Sequence, residues 1–196
     1  MDQTLQTRAS KLQCGVYATY GMTETISHIA LMKMNTPNAS EYFTALPGIT
    51  IEKDKRECLT IKASFLNEEV ITNDLVEMKG VNEFRWLGRW DNVINTGGVK
   101  VMPEKIEAQL QRVFQTLEIN RRYFLAGLHD KILGQKVCLI IEGDPLPNLT
   151  QDLLWKKLKE TLSKFEVPKE LTFVKEFKQT ATGKIDRNKT LNLVPI

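Results

Sequence analysis

Apolar and polar positions change period several times along these 196 residues. Residues 15–20, GVYATY, form a short β-prone run that reaches a turn at Gly21. The stretch 26–34 is apolar at most positions, and its period does not choose between helix and strand. Thr36-Pro37-Asn38 reads as a loop, and the polar residues 1–12 as a piece of helix. Between Gly48 and Trp86 come four short β-prone runs, 49–52, 58–63, 69–72 and 81–87. They are separated by Asp54-Lys55, Asn67-Glu68 and Lys79-Gly80, which predicts a small antiparallel sheet or partial barrel. Val93-Ile94 and Val99-Lys100-Val101 flank Asn95-Thr96-Gly97-Gly98, a hairpin pattern with a glycine turn. Pro103 stands where a helix accepts proline, at its first residue. Ile106, Leu110, Val113, Phe114 and Leu117 then give one buried stripe over 103–117. Two strands follow, 122–128 and 136–142, with a turn marked by His129-Asp130 and Leu133-Gly134. Thr150 reads as the N-cap of a helix with Leu153, Leu154, Leu158, Leu162 and Phe165 on one face, stopped by Pro168. A third strand is predicted over 171–174. The expected class is α+β: a small antiparallel sheet over 1–87, a junction at 88–91, and a second unit over 92–196. That unit would be a three-stranded sheet flanked by helices.

Composition adds exclusions. A hydrophobic fraction of 42% suffices for a core, and nothing suggests disorder. The formal charge of +3 is scattered, with no basic run interleaved with aromatics, so nucleic-acid binding has little support. Cys14, Cys58 and Cys138 are odd in number and far apart, as expected of reduced, buried or half-buried thiols in a cytoplasmic protein. His28 and His129 have no cysteine or clustered carboxylate beside them, which argues against a transition-metal site. No signal peptide and no apolar run of bilayer length is present.

Four short strings carry candidate chemistry: Tyr20-Gly21-Met22-Thr23-Glu24, Thr72-Asn73-Asp74, the stretch GRWDNVINTGGVKVMPEKIE from Gly88 to Glu107, and Gln179-Thr180-Ala181-Thr182-Gly183-Lys184-Ile185-Asp186-Arg187. Each has a plain structural reading as a helix cap, a turn, a hairpin or a solvated lysine. In this order and spacing they resemble the adenylate-forming acyl-CoA synthetases, the superfamily shared with luciferases and peptide-synthetase adenylation domains, over nearly the whole chain. A hydroxyl such as Thr23 can donate to phosphate, and a carboxylate such as Glu24 can hold Mg²⁺ against it. The resemblance implies that Asp74 accepts the ribose hydroxyls of ATP, that Arg89 also reaches the ribose, and that Asp91 is the hinge. Asn73 stands where the family has glycine, and its tolerance of positive φ would preserve a turn there.

The reaction implied joins a small carboxylic acid to coenzyme A at the expense of ATP, giving AMP and pyrophosphate. Lys184 would serve the first half-reaction. In the second, a lid turning on Asp91 would bring Gly97-Gly98 toward the pantetheine arm, which side chains would block. No Ser/Thr/Gly-rich phosphate loop precedes residue 15, so the resemblance implies the C-terminal portion of a ligase, with 1–87 the end of its large domain and 92–196 its lid. That portion alone is expected to be inactive. The string YGMTETISHIAL and LHDKILGQKVCLIIEG look most like the o-succinylbenzoate–CoA ligases of menaquinone synthesis. Ser27 and His28 would be near enough to line the acid pocket, though His28 reads equally as a core histidine. An aryl or medium-chain acyl-CoA ligase, or a non-catalytic module binding nucleotide or CoA, are the alternatives. Homo-oligomerisation is left open.

Overall fold

The computed structural model describes residues 8–9, 11–35 and 39–194. The expected helix piece at 1–12 lies mostly outside the described residues, and the Thr36-Pro37-Asn38 loop lies wholly outside them. The chain divides into two compact units after Asp91.

The first unit is one antiparallel sheet of seven strands, in the order β1-β2-β3-β7-β6-β5-β4. These are β1 (Tyr17–Gly21), β2 (His28–Lys33), β3 (Phe43–Ala45), β4 (Ile49–Lys53), β5 (Cys58–Ala63), β6 (Val70–Lys79) and β7 (Glu83–Arg89). The ambiguous stretch 26–34 is thus a strand: β2 pairs with β1 from Tyr17↔Lys33 to Tyr20↔Ala30, and that pairing decides what periodicity could not. Ile29, Ala30, Ile51, Leu59, Ile61, Val76 and Phe84 form the buried core, with the rings of Tyr20 and Phe43 packed against Phe84. The expectation of a turn at Thr72-Asn73-Asp74 is corrected. These residues lie inside β6, a strand of ten residues. Asn73 is not among the residues with positive φ; the triplet lies in an irregularity of the β5 pairing, between Thr60↔Ile71 and Cys58↔Leu75, and a further register shift against β7 comes at Leu75/Val76. Pairing with β5 up to Ile71 and with β7 from Asp74 onward brackets the polar triplet and keeps it in the strand.

The second unit holds five strands. The three expected ones are β10 (Tyr123–Asp130), β11 (Gly134–Glu142) and β12 (Glu170–Val174), with β11 central, antiparallel to β10 and parallel to β12. The glycine hairpin, β8 (Ile94–Thr96) and β9 (Val99–Val101), extends the same sheet through the pair Gly134↔Thr96, so the count of three is corrected to five. Gly97 and Gly98 have φ of +56° and +81°, which a two-residue hairpin turn of this hand demands. Helices α1 (Pro103–Thr116) and α2 (Asn148–Thr161) cover one face, where Ile106, Leu110, Leu154 and Leu158 meet Val137, Leu139 and Ile141. The alternate residues of β11, Cys138 and Ile140, face Phe124, Val174, Phe177 and Val194. A strand buried on both faces explains the unbroken apolar run at its centre. A short α3 (Arg187–Leu191) is capped by the Asp186 carboxylate, which accepts from Lys189 N.

The start of α2 also differs from expectation. It begins at Asn148 with Pro147 as cap, so Thr150 lies in the first turn, and it ends at Thr161, well before Pro168. Its buried stripe is Leu154, Leu158 and Leu162, while Leu153 and Phe165 are exposed. Cys14 is exposed, against the expectation of a shielded thiol; Cys58 and Cys138 are buried.

Candidate functional site

The first unit gathers four sequence-singled residues, Tyr20, Asp74, Arg89 and Asp91, into one polar cluster. Register sets the core of it: Asp74 lies opposite Arg89 across β6 and β7. Arg89 Nη1 is 3.9 Å from Asp74 Oδ1, and Arg89 Nη2 donates to Asp91 Oδ2 at 2.7 Å. The Asp91 contact, ahead of the Asp74 charge, holds the guanidinium above its ordinary pKa. From β1, Tyr20 Oη donates to Asp74 Oδ2 at 2.5 Å. Burial first, and then the bond to Asp74, push the Tyr20 phenol well up, so it is a fixed donor. Asp74 is buried, with its backbone N donating to Thr72 Oγ1 at 3.0 Å. An acceptor carboxylate held on one oxygen by a phenol, with an arginine beside the other, can take a neighbouring hydroxyl pair.

Residues that the sequence did not flag complete this cluster. Arg56 donates through Nε to Asp54 at 2.8 Å, through Nη2 to the Thr72 carbonyl at 3.0 Å and through Nη1 to Asn73 Oδ1 at 2.8 Å. Asn73 Nδ2 in turn donates to Asp91 Oδ2 at 3.2 Å. Arginine only donates and an ionised carboxylate only accepts, so the amide has one orientation here. The available signal was Asp54 two residues before Arg56, an Asx-turn pattern in which Asp54 Oδ1 takes the Arg56 and Cys58 N–H groups.

Thr23 and Glu24 sit on a 3-10 turn, Thr23–Thr25, between β1 and β2, and both are exposed. The structural work falls to buried Thr25, whose hydroxyl takes the Met22 N–H at 3.0 Å and reaches the Ser27 carbonyl at 2.7 Å. This frees Thr23 and Glu24 from the capping role, and no side-chain partner engages either among the described residues. Gly21 is dictated by close approach: a Cβ there would stand 2.4 Å from the Ser27 carbonyl oxygen. Ile26 has φ of +65° and is exposed, a conformation a β-branched residue rarely takes. The turn lines a concavity of about 450 Å³ with Thr19, Ser27 and His28. His28 is exposed, its Nδ1 3.2 Å from Ser27 Oγ, so the core-histidine reading falls. Among the described residues no three His, Cys, Asp or Glu side chains stand together as a metal cage. A lone exposed carboxylate at Glu24 still fits Mg²⁺, which keeps waters and substrate phosphates as most of its ligands.

In the second unit, Lys184 is exposed on a turn closed by Thr180 N to Lys184 O at 2.8 Å, with Gly183 at φ +79°. Gln179 and Ile185 pair across it. Its base is anchored by Arg187, which reaches Glu107 Oε2 at 2.8 Å and lies 5.4 Å from the centre of the Phe124 ring. Burial raises the Glu107 carboxyl above the usual range, with Arg187 opposing the shift. Gly97 and Gly98 are exposed at the hairpin tip, and positive φ already accounts for both glycines. A concavity of about 1200 Å³ in this unit is lined by Arg121, Arg122, Glu142, Asp144 and Lys175 among others, and none of the predicted site residues lines it. No helix of the described residues is long and apolar enough to cross a membrane.

No family model matches the chain. Among curated proteins it is 26% identical to the 2-succinylbenzoate–CoA ligase of Lactococcus lactis, over 95% of this chain and 44% of that protein. Among solved structures it shares 42% identity and a TM-score of 0.53 with an AMP-forming acyl-CoA synthetase/AMP-acid ligase II-like protein from Dyadobacter fermentans, covering 98% of this chain and 55% of that one. The o-succinylbenzoate coenzyme A synthetase of Bacillus subtilis, solved with ATP and magnesium, gives a TM-score of 0.66 at 20% identity, over 97% of this chain and 44% of that one, and so a likeness of fold. The chain thus spans only about half, or less, of the length of these relatives. By sequence and by fold it is similar to the adenylate-forming acyl-CoA synthetases, and the partial coverage fits their C-terminal portion.

Proposed function

We propose that the chain is the C-terminal portion of an ATP-dependent acid–CoA ligase acting on o-succinylbenzoate in the cytoplasm. The observation that carries the ligase reading is the Tyr20–Asp74–Arg89 cluster: a buried carboxylate locked by a phenol and flanked by a guanidinium at the motif positions. In this reading Asp74 accepts the ribose hydroxyls of ATP and Arg89 supports it. Thr23 donates to a phosphate oxygen. Mg²⁺ held at Glu24 would offset phosphate charge. In the first half-reaction the substrate carboxylate attacks the α-phosphate, forming acyl-adenylate and releasing pyrophosphate. Lys184 stabilises the negative charge that builds there. In the second, the thiol of coenzyme A displaces AMP, and the exposed tip at Gly97 and Gly98 admits the pantetheine arm. Asp91 supplies the hinge between the two steps.

Support for o-succinylbenzoate comes from the 2-succinylbenzoate–CoA ligase similarity and from the concavity beside the Thr23 turn. This acid carries a second carboxylate, which must meet donors or water. Ser27 and His28 are exposed there to serve it. The test is a substrate panel on the polypeptide that carries this chain together with the remainder found in its relatives. O-succinylbenzoate should exceed benzoate and octanoate in kcat/KM. Preference for either of those would replace the substrate and keep the ligase.

A further inference from the structure

The two units part between Asp91 and Asn92, and the side chain on each side of that peptide is tied into its own unit. Asp91 Oδ2 accepts from Asn73 Nδ2 at 3.2 Å and from Arg89 Nη2 at 2.7 Å. Asn73 is itself fixed, because Arg56 grips its carbonyl oxygen at 2.8 Å while bound to Asp54 and the Thr72 carbonyl. On the other side, Asn92 Nδ2 donates to Glu104 Oε1 at 2.5 Å. Glu104 lies in the first turn of α1, 4.0 Å from Arg187, and its Oε2 is buried with no hydrogen-bond partner. Such a carboxylate gains from every donor it keeps, so the Asn92 amide is held firmly.

We infer that Asn73 and Glu104 are positioning residues that clasp the chain on either side of the Asp91–Asn92 peptide, confining rotation to ψ of Asp91 and φ of Asn92. This rests on the hinge reading of Asp91 and deepens it. A pivot of two torsions turns one unit as a rigid body, whereas a loose linker would scatter its orientations. It also gives Asn73 a purpose: glycine at this position would leave Asp91 with Arg89 alone. The second clasp uses the same helix that anchors Arg187, so the pivot and the Lys184 turn share one rigid element.

The test is the backbone amide ¹⁵N order parameters of the 196-residue chain and its variants, with no nucleotide or acid present. In the parent chain the Asp91 and Val93 amides should be rigid, at about 0.85, with any mobility confined to the Asn92 amide. Asn73→Gly should lower Asp91 below about 0.6 and leave Val93 rigid. Glu104→Ala should lower Val93 and leave Asp91 rigid, while Glu104→Gln, which keeps an acceptor oxygen, should restore it. Unchanged values in both variants, or loosening of both amides together in each, would overturn the clasps. Because no catalysis is read, the ligase reading can fail while this one stands, and the reverse.

Discussion

Tyr20 illustrates how a residue quoted for a motif earns a definite physical role only from its partner. Its hydroxyl donates to Asp74 although three strands stand between β1 and β6 in the sheet order, and the pair lies 54 residues apart in sequence. Tyr20→Phe removes the donor and leaves a buried carboxylate oxygen unmet. Hydrogen bonds to charged groups contribute about 2 kcal/mol, so urea denaturation should show a loss of that order. Glu142 yields a pH prediction. The Arg122 side chain, and then Phe177 N–H, hold its carboxyl below the usual range. A depressed folded pKa gives stability that is present above the unfolded value of about 4.3 and lost as pH falls through the folded one. Glu142→Gln should therefore flatten the acid side of the stability profile, seen as a smaller drop in Tm between neutral pH and mild acid; a drop as steep as the parent's would refute the assignment. At this scale the sequence was legible where one residue type has one use, as at Gly97 and Gly98. It was silent where the use depends on a distant partner. Thr25 was passed over between Glu24 and Ile26, although its hydroxyl, and not those of the motif residues, closes the turn.

Elements were read well where the apolar period was long and ended in strong signals. The hairpin, α1 with Pro103 at its start, and the strands β10, β11 and β12 of the second unit all follow from pattern. Two failures have physical causes. β6 runs through Thr72-Asn73-Asp74 because pairing with β5 just before it, at Thr60↔Ile71, and with β7 from Asp74↔Arg89 onward holds the strand across it against the turn preference of Asn and Asp. α2 starts two residues before Thr150 because Pro147 already fixes a suitable φ and Gln151 N bonds to its carbonyl at 3.0 Å. The helix distinguishes two neighbouring leucines that the pattern placed on one face. Leu154 is fully buried and Leu153 is 45% exposed. Leu154→Ala should cost about 2–5 kcal/mol by cavity formation, and Leu153→Ala well under 1 kcal/mol. Equal losses in chemical denaturation would contradict the stripe Leu154, Leu158, Leu162.

For the molecule as a whole, the sequence placed the junction at Gly88 to Asp91, and the compact units part after Asp91. The outline of an α+β chain with two sheets was legible because turn residues punctuate it regularly. The clasps were not, because Asn73, Arg56 and Glu104 acquire meaning only from the fold, in which they stand on β6, on the turn between β4 and β5, and on α1. The central claim is that the exposed Lys184, on its closed turn, serves one half-reaction and not the other. The most direct measurement compares Lys184→Ala with the parent in the longer polypeptide, reading adenylate formation as pyrophosphate release and thioester formation from supplied acyl-adenylate and coenzyme A. Losing one contact to transition-state charge costs about 3 kcal/mol or more, so adenylate formation should fall by at least two orders of magnitude while thioester formation stays near the parent rate. Equal loss in both half-reactions, or none in the first, would contradict the account.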